Sequence, residues 1–189
     1  MTYSAARLVS IAGHPAVLMT LAALVASPGA TVLPIVVSTV ACGLGVLGYS
    51  YYKAQRGDWG HIDASSIGER TQLNSHIGLG LLGAAGVLAL TSLHVGVSIA
   101  VALAALIVLA GHLLRSLAKV SLHVAFAVFA AFIAWPNNLA AAALLVAALA
   151  VGWSRLVLRR HVGRDLFWGA AVGTVGGCIF QAVMSSLDA

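Results

Sequence analysis

Charged side chains are scarce in this 189-residue chain: Asp, Glu, Lys and Arg together make up 8% of it, against about 25% in an average soluble domain. Hydrophobic residues make up 61%, and the mean hydropathy is +1.02. So little charge excludes a soluble globular domain and predicts an integral membrane protein. Because one span takes about 20 residues, we expect an all-α bundle of roughly six to seven transmembrane helices in a single domain, residues 1–189.

Acidic residues and cysteines are rarer still. The five acidic positions are Asp58, Asp63, Glu69, Asp165 and Asp188, and no paired carboxylates of the kind that hold Mg²⁺ occur among them. The two cysteines lie inside apolar segments, at Cys42 and Cys178, where a thiol packs as a small hydrophobe. We therefore expect no metal, no cofactor and no disulfide.

Basic residues outnumber acidic ones, ten to five, and the sequence pI is about 9.8. They are strung between apolar segments without a recognition motif, which argues against nucleic acid and favours anionic lipid headgroups as partners. After Arg7 the chain carries no charge as far as Tyr52, a run too long for the apolar core of a removable signal peptide. We expect the N-terminal segment to be retained.

Apolar runs between polar stretches predict the spans. They cover 16–27 (beginning as early as residue 8), 30–52, 77–93, 95–114, 120–135, 139–158 and 166–187. The polar stretch 53–75 is predicted to be either a plain loop or a short interfacial helix capped by Ser65 or Asp63. The spacing Gly169-x3-Gly173-x3-Gly177 indicates a helix that packs closely against a neighbour.

All ten Lys and Arg residues fall on one side of these predicted spans, whereas the turns on the other side, 27–29, 92–94 and 135–138, have none. By the positive-inside rule the basic face is cytoplasmic, which with seven spans puts the N-terminus inside and the C-terminus outside a bacterial-type cytoplasmic membrane. No ionisable residue lies near the middle of a predicted span, and no clear internal repeat is present. Both features disfavour a transporter.

Three polar clusters converge on the basic face, because two spans separate each cluster from the next. They are the stretch 61–70, the pentapeptide Lys119-Val120-Ser121-Leu122-His123, and the pattern S-R-x5-H-x3-D formed by Ser154, Arg155, His161 and Asp165. Histidine can attack phosphorus, an aspartate one turn later can hold its ring, and arginine binds phosphate oxygens. A basic cap on a membrane helix is the alternative interpretation of the third pattern.

With these residues the chain resembles the type 2 phosphatidic acid phosphatase superfamily, whose fold is shared by the vanadium haloperoxidases. Three signatures mark that family, roughly K-x6-R-P, P-S-G-H and S-R-x5-H-x3-D. The third is matched in full, and the second in part by Ser121 and His123, with Val120 and Leu122 in place of Pro and Gly. The resemblance covers about residues 61–177.

The first signature departs furthest from the family pattern. Arg70 is the counterpart of its arginine, but Thr71 stands in place of the proline and Asp63 in place of the lysine. Either Lys53 or Lys119 would supply the missing positive charge, or the phosphate pocket is weaker or differently shaped.

The resemblance implies roles for these residues. His161 would attack phosphorus, Asp165 would accept the other ring N–H of His161, and His123 would protonate the leaving group as a general acid. The substrate phosphate would be bound by Arg155, Arg70, Ser121, Lys119 and Ser154. Considered alone, each of three residues also has a structural interpretation: His123 as a helix-end histidine, Ser121 as a helix cap, and Arg70 as a loop or snorkelling residue.

The implied function is hydrolysis of a lipid phosphomonoester or diphosphate in the membrane, without a metal. Candidate substrates are phosphatidic acid, phosphatidylglycerol phosphate, polyprenyl diphosphate and polyprenyl-phosphosugar phosphates. Two alternatives remain: a phosphotransferase of the same fold, and a non-catalytic membrane protein with an altered pocket. The few acidic residues exclude the carboxylate arrays of CDP-alcohol phosphotransferases and prenyltransferases. A homo-oligomer is left open.

Overall fold

Residues 2–26, 32–60, 66–91, 95–135, 137–187 and 189 are described by a computed structural model, and the regular structure in these ranges is helical. The helices are α1 (Thr2–Ala12), α2 (Pro15–Ala26), α3 (Val32–Gln55), α4 (Ile67–Thr91), α5 (Val95–Leu113), α6 (Leu122–Ile133), α7 (Asn138–Val157) and α8 (Gly163–Leu187). A 3₁₀ turn, Leu114–Ser116, extends α5. Within the described ranges, four helices are long and apolar enough to cross a membrane, or five if the bent pair α1–α2 forms one span. The chain is therefore an all-helical integral membrane protein.

The short helix α6 lies at the centre of the bundle. It has 12 residues, or about 18 Å of helix, which is less than the hydrocarbon core of a bilayer. It packs against α2, α5, α7 and α8, and nine of its residues are buried, Phe129 completely. Helix α6 is therefore enclosed by its neighbours over most of its length.

Glycines of α8 allow it to lie directly against α6. A methyl group built on Gly169 would lie 2.6 Å from the carbonyl oxygen of Ser121. One built on Gly173 would overlap the backbone of Ala125, and one on Gly177 would overlap the ring of Phe132. The predicted close-packing role of this glycine pattern is confirmed, because the two helix backbones leave no room for larger side chains.

The first predicted span is a bent pair of helices. It begins at Thr2, earlier than the sequence predicts, and α1 and α2 meet at an angle of 50°. Proline at the first position of α2 has no N–H with which to continue the hydrogen bonds of α1. At the bend, Gly13 packs tightly against Val151 of α7. The bend therefore fixes His14, which follows Gly13, beside the end of α7.

The fourth helix also begins before its predicted start. Ser66 and Glu69 form a reciprocal cap: the N–H of Glu69 donates to the Ser66 hydroxyl at 3.1 Å, and the N–H of Ser66 donates to the Glu69 carboxylate at 2.9 Å. Residues 67–75 of the polar stretch thus belong to the long helix α4. For these residues both predictions, a plain loop and a short interfacial helix, are wrong. The caps predicted at Ser65 and Asp63 lie outside the described residues.

Candidate active site

The end of α7 shapes the backbone that leads to His161. The N–H of Arg160 donates to the carbonyl of Arg155 at 3.0 Å, in the motif that closes many helices with a left-handed residue. Glycine usually occupies that position, as Gly57 does after α3 with φ +74°, but α7 ends with Arg159 at φ +53°. A non-glycine residue there costs about 1 kcal/mol. The arginine side chain lines an open pocket that also contains His161.

The ring of His161 is held through its Nδ1 atom. Nδ1 lies 3.1 Å from the backbone carbonyl oxygen of Lys119 and 3.4 Å from Oδ2 of Asp165. A carbonyl oxygen can only accept a hydrogen bond, so Nδ1 carries the ring proton and donates it. In the neutral ring the lone pair is then on Nε2, which is the arrangement that a nucleophilic histidine needs.

Asp165 joins the segments that carry the second and third sequence clusters. It is 5% exposed, and its carboxylate accepts the N–H of Lys119 at 3.1 Å and the N–H of Val162 at 3.1 Å. Its backbone carbonyl accepts the N–H of Ser121, also at 3.1 Å. These contacts dock the start of α8 on the segment ahead of α6, and they hold the carboxylate beside the ring of His161.

Two arginines put positive charge close to His161. Burial of the imidazole, followed by the nearby Arg155 guanidinium, lowers the pKa of His161 to about 4, while Asp165 acts in the raising direction and Arg70 in the lowering one. Arg70 also lies within electrostatic range of Asp165 and Arg160. The structure therefore brings together the arginines of the first and third clusters, and His161 is neutral at physiological pH.

We expect His161 to titrate near pH 4 in the wild-type protein and at a higher pH in Arg155→Gln, because one of the two main causes of the lowered pKa is then removed. An imidazole in an unfolded chain has a pKa of about 6.5. The neutral ring of His161 therefore contributes stability above that pH, and this stability is lost as the pH falls through the pKa of His161 in the folded protein. NMR of ¹³C-histidine-labelled protein in detergent, with His161→Ala to assign the signal, measures both midpoints. A wild-type midpoint of about 6.5 would contradict the burial of the His161 ring.

Among the other predicted site residues of the second and third clusters, His123 is half-buried and the two serines are fully buried. His123, near the start of α6, is within electrostatic range of Arg155 and His161. The hydroxyl of Ser121 is fully buried and has no hydrogen-bond partner among the described residues. Ser154 is also fully buried, and its hydroxyl donates to the carbonyl of Val151 at 2.7 Å within α7. Its predicted role in binding phosphate stays a prediction.

Of the two lysines considered as a replacement for the lysine of the first signature, Lys119 lies at the site. Its ammonium group donates to the carbonyl of Arg160 at 2.6 Å. Lys53, in contrast, forms an ion pair with Asp58 at 2.9 Å. The open pocket has a volume of about 580 Å³ and is lined by Lys119, Leu156, Arg159, Arg160, His161, Val162, Gly163 and Asp165.

Two further residues, Ser10 and His14, lie near the site although no sequence motif marks them. The Ser10 hydroxyl accepts a hydrogen bond from Nη1 of Arg155 at 2.7 Å. The ring of His14 stands edge-on to the ring of His123, with 5.6 Å between the centroids. Neither residue belongs to a signature, and the one signal in the sequence is the Gly13-His14-Pro15 break, which is typical of a helix boundary.

Comparison of the chain with protein-family models, with curated proteins and with solved structures gives no match. A proposal for the function therefore depends on the geometry of the described residues and on the sequence pattern.

Proposed function

We propose that the protein is a metal-independent membrane lipid phosphatase with the six- to seven-helix fold of the type 2 phosphatidic acid phosphatases. Its active face would be cytoplasmic, and it would hydrolyse a lipid phosphomonoester or diphosphate through a phosphohistidine. The observation that carries the proposal is the hydrogen bonding of His161. Nδ1 donates its proton to Lys119 and Asp165, Nε2 keeps the lone pair, and the pKa of about 4 keeps the ring neutral.

The proposed reaction has two steps. Nε2 of His161 attacks phosphorus, and the N–P bond forms. The P–O bond to the lipid breaks as His123, which enters this step as the imidazolium, gives its proton to the departing oxygen and becomes neutral. His123 then takes a proton from water, which attacks phosphorus, breaks the N–P bond and releases inorganic phosphate. Arg155 and Arg70 would stabilise the negative charge on the equatorial oxygens in both steps.

An apolar groove supports a substrate with a hydrocarbon tail. The groove has a volume of about 280 Å³ and is lined by Leu18, Leu21 and Val25 of α2 and by Ala140, Ala143, Leu144 and Ala147 of α7. Leu18 lies four residues after His14, and Ala147 lies eight residues before Arg155, so the groove runs along both helices away from the polar site. A tail in this groove would leave its phosphate close to Arg155.

We expect purified protein to release inorganic phosphate from at least one member of a panel of lipid phosphates in the presence of EDTA. The panel contains phosphatidic acid, phosphatidylglycerol phosphate, a polyprenyl diphosphate and a water-soluble phosphomonoester as the control without a tail. Release from a lipid and not from the control would support a lipid phosphatase. Complete inhibition by EDTA, restored by Mg²⁺, would contradict the metal-independent mechanism.

Two further measurements separate the alternative functions. Free phosphate that appears at the rate of substrate loss, with added lipid alcohols present, excludes a phosphotransferase. Orthovanadate resembles a phosphate in the trigonal-bipyramidal geometry of transfer, so a catalytic site should bind it and raise the thermal unfolding midpoint. If no lipid is hydrolysed and orthovanadate has no effect, the protein is a non-catalytic member of the fold and the proposal fails.

A further inference from the structure

The bend between α1 and α2 brings His14 into the group of histidines around Arg155. Its ring meets the ring of His123 edge-on at 5.6 Å, and Arg155 lies within electrostatic range of both rings. Four residues earlier, Ser10 accepts the hydrogen bond from Arg155. The N-terminal segment therefore lies beside the arginine at two places, Ser10 in α1 and His14 at the bend. His14 remains exposed, so a ligand can reach it.

The hydrogen bonding of His14 fixes its tautomer. Its Nδ1 atom accepts the N–H of Ala16 at 3.3 Å, in the manner of a helix cap at the start of α2. Nδ1 therefore carries no proton, and in the neutral ring the proton is on Nε2. His14 thus has the opposite tautomer to His161: it presents an N–H donor where His161 presents a lone pair.

We propose that His14 binds the substrate phosphate directly, by donating its Nε2–H to a non-bridging oxygen of the group that Arg155 holds. This inference depends on the proposed phosphatase function and adds a residue to the same site. The segment that bears His14 lies outside all three signatures, so the phosphate would be bound by the start of the chain as well as by its second half. A neutral donor there stands beside Arg155 without repelling it.

The competing explanation is that His14 only caps α2, and two substitutions separate the roles. His14→Ser keeps a side-chain oxygen that can accept from the helix N–H groups, so it preserves the cap but removes the ring donor. His14→Ala removes both. If His14 binds phosphate, His14→Ser should unfold at the wild-type temperature without ligand, yet bind orthovanadate at least about tenfold more weakly, because a hydrogen bond to a charged group is lost.

The experiment measures the dissociation constant of orthovanadate from the rise in unfolding temperature of wild-type, His14→Ser and His14→Ala proteins in detergent, with KM for the hydrolysed lipid as a second readout. A higher dissociation constant and KM in His14→Ser, at an unchanged unfolding temperature, is the expected result. Equal constants in the wild-type and His14→Ser proteins would overturn the inference and leave the proposed function intact. If the wild-type protein neither binds orthovanadate nor hydrolyses a lipid phosphate, the proposed function and this inference both fail.

Discussion

His161→Ala is expected to lower the release of phosphate by about three orders of magnitude or more, because the variant lacks the attacking Nε2. The variant should still fold, since the ring is held by two contacts at the edge of the bundle while Asp165 keeps its bonds to the N–H groups of Lys119 and Val162. Orthovanadate or phosphate should still bind weakly through Arg155. The loss should therefore appear in kcat, with a smaller change in the affinity for lipid.

A covalent intermediate distinguishes this prediction from a general loss of activity. Brief incubation with ³²P-labelled lipid phosphate should leave label on the wild-type chain that survives alkali and is lost in acid, as a phosphorus–nitrogen bond requires. His161→Ala should carry no label, whereas His76→Gln, which changes a histidine that stacks on Tyr49 of α3, should be labelled normally. Hydrolysis by His161→Ala at the wild-type rate would exclude His161 as the nucleophile.

How much of the site the sequence can predict depends on how local each contact is. His161 and Asp165 lie four residues apart across the start of a helix, so their proximity follows from the spacing alone. The contact between Asp165 and the backbone of Lys119 crosses 46 residues, and the sequence suggests it only through the two spans that return the chain to one face. The hydrogen bond between Ser10 and Arg155 joins residues 145 positions apart, and no sequence motif predicts it.

The ends of the helices, like the contacts of the site, can be predicted from the sequence only in part. Hydropathy places most of the spans, because a membrane requires long apolar runs, but it reads polar residues as loop. The start of α4 is polar and helical because Ser66 and Glu69 cap each other, a pattern that is present in the sequence but that hydropathy does not detect. The shortness of α6 has a different cause: its ends are buried by neighbouring helices, so it need not match the thickness of a bilayer.

Gly173→Ala is expected to destabilise the protein by more than about 2 kcal/mol, because the added methyl group would overlap the backbone of Ala125 in α6. A flexible side chain could move aside, but a helix backbone in the centre of the bundle cannot. The matched control is Gly83→Ala in α4, where nothing lies within 4 Å of the added atom. That change should be neutral or stabilise the helix by up to about 1 kcal/mol.

The same substitution should also disable the active site. Asp165 reaches Ser121 and Lys119 because α8 lies against α6, so pushing the helices apart would lengthen those hydrogen bonds and release the ring of His161. Gly173→Ala protein that is still folded, as judged by size-exclusion chromatography in detergent, should therefore lose phosphate release while Gly83→Ala keeps it. Equal unfolding temperatures and activities in the two variants would show that α6 and α8 do not pack this closely. Folded but inactive Gly173→Ala protein, in contrast, would show that the close packing of α8 at Gly173 positions Asp165, which precedes it in the same helix.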